Sequence, residues 1–188
     1  MQRVSSKAFF EAWLKSVRSK NSELINVWNI AKSYTQAVLG YKDSVIADVA
    51  ESLSLKHYSE YYSMDAIIFD PKADKILDCA PLSETWLCRA RVAIEHENVF
   101  FSGLYKEVGH LLLLDCDLRV LITYPPPHND RVEPELSKLS GIIEQSGKAK
   151  VISKESSFLL ILGFKSQGDV HVRWSARVFK DGDWIELD

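Results

Sequence analysis

Between Thr85 and Tyr124 the hydrophobic pattern changes period twice, and this change restricts the topology more than any other stretch of the chain. Residues 85–97 end in Arg-Val-Ala-Ile-Glu-His-Glu, aliphatic enough near the end to predict a strand buried on both faces. Residues 101–114 then place Leu104, Tyr105, Val108, Leu111 and Leu112 at helical spacing. Residues 119–124, Arg-Val-Leu-Ile-Thr-Tyr, return to a short apolar strand. A strand, a helix and a strand at this spacing form a βαβ unit, whose crossover makes the two strands parallel neighbours.

The rest of the chain is read around that unit. The first third is helical, with helices predicted over 6–19, 23–39 and 44–54, the last capped by Asp43. Residues 57–70 are aromatic and β-branched, hence strand-like, with Asp65 at the head of their apolar end. A turn at 71–75 and a short return strand at 76–79 follow. Pro134 suits the start of a helix over 133–146, closed by Gly147. Strands are predicted at 158–164 and 170–180, with Asp181-Gly182 as a turn and a small edge strand at the C-terminus. The expectation is one α/β (α+β) domain over 1–188, a mixed β-sheet flanked by helices. Residues 1–40 form an N-terminal helical segment, 41–125 the core, and 126–188 a C-terminal helix and strands.

Bulk chemistry narrows the class. A net charge of −3 argues against a general nucleic-acid coat, which is strongly basic, but not against an enzyme with one basic groove. Cys79, Cys88 and Cys116 are an odd set without CxxC or Cys/His spacing, which reads as a reduced cytoplasmic protein with no zinc site. No apolar run approaches the roughly 20 residues that span a bilayer, so no membrane partner is expected.

The chemistry sits at the end of the first strand of the βαβ unit. Glu95 and Glu97 are two apart, so in a strand they share one face, while His96 points to the other. Like charges this close need a cation or a proton between them. Asp65, thirty positions earlier, heads a segment expected to pair with the Glu95 strand. Three carboxylates converging there would hold one or two Mg²⁺ ions.

This arrangement resembles the PD-(D/E)XK nuclease superfamily, the restriction endonuclease-like fold. Its core runs α-β-β-β-α-β, with an acid before one strand and an acid-x-lysine on the next. Asp65 matches the first acid and Glu95 the second, and the helix and strand over 101–124 match the crossover. The resemblance covers about residues 40–125. It implies a Mg²⁺- or Mn²⁺-dependent phosphodiesterase, a DNA endonuclease, with Asp65, Glu95 and Glu97 as metal ligands. Cutting both strands would take a homodimer or two successive nicks. The chain departs from the pattern at Glu97, where lysine is common. Glu97 is then a base, a ligand or a mark of lost activity, and Lys106, one turn into the next helix, is a candidate for the missing ammonium. Two alternatives stand beside the nuclease: a catalytically inactive binding or assembly module of the same fold, and an unrelated α+β interaction protein whose acids are incidental.

Overall fold

A computed structural model describes residues 3–74, 87–127, 129–166 and 168–187. Four helices come first: α1 (Ser6–Ser19), α2 (Asn21–Val27), α3 (Ala31–Leu39) and α4 (Val45–Ser52). Then come β1 (Lys56–Tyr61), β2 (Met64–Phe69), β3 (Ala90–Glu97), α5 (Leu104–Leu113), β4 (Cys116–Thr123), α6 (Val132–Gln145), α7 (Ala149–Glu155), β5 (Phe158–Phe164), β6 (Arg173–Lys180) and β7 (Asp183–Glu186). The α/β class and mixed sheet expected from the sequence are present: the seven strands form one sheet in chain order, β1 to β7. The β3–β4 and β4–β5 pairs are parallel and the others antiparallel, so the βαβ unit is as read.

Apolar clusters cover both faces of the sheet. On one, α1, α3 and α4 bring Phe9, Trp13, Val38, Ile46 and Val49 against Ile68, Val92, Ile94, Val120 and Ile161. On the other, α5, α6 and α7 bring Val108, Leu111, Leu139 and Ile152 against Ile67, Ala93, Leu121, Leu160 and Phe179. Every residue of β4 is buried, as expected for a central strand in a parallel stretch covered on both faces.

Several boundaries differ from the expectation. The helix read over 23–39 is two helices, broken at Trp28–Ile30, where the indole turns edge-on to Tyr34 and Tyr124. Tertiary packing, not a Gly or Pro, interrupts it. The cap of α4 is Ser44, whose Oγ accepts from the Ala47 amide; Asp43 precedes it in a left-handed conformation. The strand-like run 57–70 is a hairpin, with Tyr61 paired to Met64 across a two-residue connection. α7 was not anticipated. The return strand at 76–79, the first residues of the 85–97 strand and Cys79 lie outside the described residues.

Candidate metal centre

Three elements converge on the helix-α5 face of the sheet. β2 lies antiparallel to β3 with Ala66 opposite Ile94, so Asp65 and Glu95 meet at the end of that ladder. The Asp65 carboxylate accepts the His96 amide at 2.8 Å, taking an acceptor position beside the strand. The Asp65 amide in turn donates to Glu95 Oε2 at 3.4 Å. The two acids therefore adjoin.

The third element is α5. Gly103, at φ +85°, turns the chain from β3 into this helix. Leu104, Val108 and Leu111 face the core, and Glu107 and His110, three apart, flank that inward stripe, with the His110 side chain 42% exposed. His110 Nδ1 lies 3.3 Å from Glu95 Oε1 and 3.5 Å from Glu107 Oε2. Glu95, Glu107 and His110 thus form a group with ligand atoms close enough to hold one metal ion.

Burial makes the group unusual. Glu95 is 1% exposed, yet its Oε1 has no hydrogen-bond partner, and neither has His110 Nδ1. The two atoms face each other at contact distance without the alignment of a hydrogen bond. An orphaned buried carboxylate oxygen costs about 1–3 kcal/mol or more. Two donors on one ion at about 2.1 Å stand roughly 3.0–3.4 Å apart, and His110 Nδ1 and Glu95 Oε1 are 3.3 Å apart. Burial first, then the neighbouring Asp65 and Glu107 charges, push the Glu95 carboxyl up to about 9. Burial also raises Glu107, with Asp65 and Glu97 adding to the rise and His110 opposing it. Metal-free, the group stores like charge that a proton or a cation must offset.

Of the residues singled out in the sequence, Asp65 and Glu95 are brought together. Glu97 lies at the rim: its charge is felt by Glu107, but its Oε1 accepts the Val99 amide at 2.8 Å and helps form the turn after β3. Lys106 is exposed on α5, and its side chain has no hydrogen bond or ion pair among the described residues. It precedes Glu107 by one position, a rotation of about 100° around the helix. Sequence reasoning missed Glu107 and gave His110 no role. Both flank the buried stripe of Leu104, Val108 and Leu111, a position that helical spacing alone does not distinguish from a solvated one.

His96 behaves as its strand parity predicts. It is buried on the opposite face, bonded through Nε2 to the Tyr124 hydroxyl at 2.7 Å and stacked near Tyr34. Burial lowers its pKa to about 3, so it is neutral and structural.

No protein-family model matches this chain, and no curated protein matches it. Among the described residues, no helix is long and apolar enough to cross a membrane.

Proposed function

We propose that the chain is a metal-dependent phosphodiesterase acting on nucleic acid, a DNA endonuclease in the first instance. One observation carries this reading: the buried, unpartnered Glu95 Oε1 faces His110 Nδ1 at 3.3 Å, with Asp65 and Glu107 beside it. The order α4-β1-β2-β3-α5-β4 supports it, being the order of the nuclease core.

Glu95, Glu107 and His110 would hold the ion, with Asp65 completing the carboxylate face. An imidazole among the donors favours Mn²⁺ over Mg²⁺, which prefers all-oxygen sites. A bound ion there supplies Lewis acidity toward a phosphate oxygen and toward water. The chain's own groups do the rest. Asp65 is held by the His96 amide, which fixes its carboxylate against Glu95. Glu107, whose carboxyl burial raises, lies with His110 beside Glu95 and joins it as a ligand of the ion. Glu97 and Lys106, the positions weighed from the sequence in place of the motif lysine, lie at the rim and on the exposed side of α5.

The test is cleavage of DNA by the purified chain with Mn²⁺ or Mg²⁺. Glu95→Ala is expected to abolish metal-dependent cleavage with the fold intact by circular dichroism; undiminished cleavage in that variant contradicts the assignment. A second reading, the inactive binding or assembly module, draws on the exposure of Lys106 and on the lack of any lysine paired to these carboxylates among the described residues. Metal binding without cleavage of DNA or RNA would select it.

A further inference from the structure

A cavity of about 370 Å³ is lined in part by His110 of the metal group. The β1–β2 hairpin forms one wall, with Tyr61, Tyr62 and Ile67. α5 forms the other, with His110 and Leu113. Arg89 stands at its border, half exposed, with one guanidinium nitrogen 2.5 Å from Asp117. The His110 side chain is common to both sites: it lines this cavity while its Nδ1 faces Glu95. The cavity and the metal group are therefore contiguous.

Two of the lining residues, Tyr62 and Leu113, are not accounted for by the core. Tyr62 is 76% exposed and Leu113 is 81% exposed, so neither serves the core. Tyr62 also sits at φ +54° in the hairpin connection, a conformation that Gly or Asn adopts with less strain. Neither burial nor turn preference calls for a tyrosine there. Its ring stands edge-on to Tyr61 at 4.8 Å, and Tyr61 is itself fixed by the Leu87 amide, which donates to its hydroxyl at 3.1 Å. The exposed Tyr62 ring, braced edge-on by the pinned Tyr61 and sharing the cavity with Leu113, offers one open aromatic face on which a flat guest can stack. The volume lies in the usual range for a small-molecule site, about 300–1,000 Å³.

We infer that this cavity receives the base of an unstacked nucleotide whose phosphate lies at the Glu95–His110 group. The inference rests on the phosphodiesterase reading and specifies its substrate. A base inside a duplex cannot enter such a cavity without leaving its stack, so single-stranded or extruded nucleotides are the preferred form.

The test uses the full chain with Mn²⁺ and three probes: deoxyadenosine 5′-monophosphate, deoxyribose 5-phosphate and deoxyadenosine, followed by calorimetry. The nucleotide is expected to bind at least ~10-fold more tightly than the base-free sugar phosphate, the scale of one base–aromatic stack. Tyr62→Ala should remove most of that advantage and Tyr62→Phe should keep it, because the ring rather than the hydroxyl does the stacking. Equal binding of the two phosphates by the unmodified chain overturns the inference. So does an advantage that survives both Tyr62→Ala and Leu113→Glu. If the chain binds no Mn²⁺, the phosphodiesterase reading fails separately. The cavity is then judged on deoxyadenosine alone: saturable binding that Tyr62→Ala removes upholds the stacking site, and its absence overturns it.

Discussion

Two buried acids on neighbouring central strands meet opposite fates. Asp117, near the start of β4, has a fully buried side chain and is met by Arg89 and Arg91 at 2.5 and 2.6 Å, with Arg3 at 3.8 Å. Glu95, near the end of β3, is almost as buried, yet its neighbours are Asp65, Glu107 and one imidazole. The first acid is neutralised by the protein itself. The second has no cation beside it among the described residues, only acids and an imidazole. Burial alone does not separate a structural carboxylate from a functional one; the sign of its neighbours does.

The contrast can be broken at its structural end first. Asp117→Ala leaves Arg91, which is also buried, facing an emptied position, and should destabilise the fold by about 3–5 kcal/mol in urea unfolding. A loss below about 1 kcal/mol would place Asp117 with ordinary surface pairs.

Glu95→Gln should act in the other direction. The folded carboxyl titrates near 9 against an ordinary 4.5, so its contribution is complete below pH ~4.5 and is lost as pH rises toward 9. At pH 7 the metal-free Gln variant should therefore be more stable than the unmodified chain by about 3 kcal/mol, with a flatter stability profile between those limits. Parallel profiles would mean that Glu95 is compensated after all.

A third substitution sharpens the metal end. His110→Ala should weaken Mn²⁺ binding by at least ~10-fold and reduce the preference for Mn²⁺ over Mg²⁺, since the imidazole is its source. The smallest effect is expected at Lys106→Ala: stability within about 0.5 kcal/mol and unchanged Mn²⁺ affinity, as for an exposed helix residue with no described partner.

What could be read from the sequence follows the same division. The Asp65–Glu95 encounter was legible because strand parity is a period of two and both acids end apolar runs that pair. The parallel β3–β4 pair was legible from the crossover helix between them. Glu107 and His110 were not, because the rotation of α5 about its axis is set by how Leu104, Val108 and Leu111 pack, and one residue separates the inward Glu107 from the exposed Lys106. The Tyr62-Ser63 hairpin was hidden for a related reason: it carries no Gly or Asn to mark the turn. The break at Trp28–Ile30 also lacks Gly or Pro and is held by aromatic packing. The sequence therefore showed which acids share a strand face, while tertiary packing decided which helix side chains join them.

The central claim is that the Glu95 group is a cation site. Titration of the metal-free chain with Mn²⁺ in a calorimeter tests it most directly. A single saturable site that disappears in Glu95→Gln, while that variant stays folded, is the expected result. No binding by the unmodified chain, or equal binding by both, would contradict the claim.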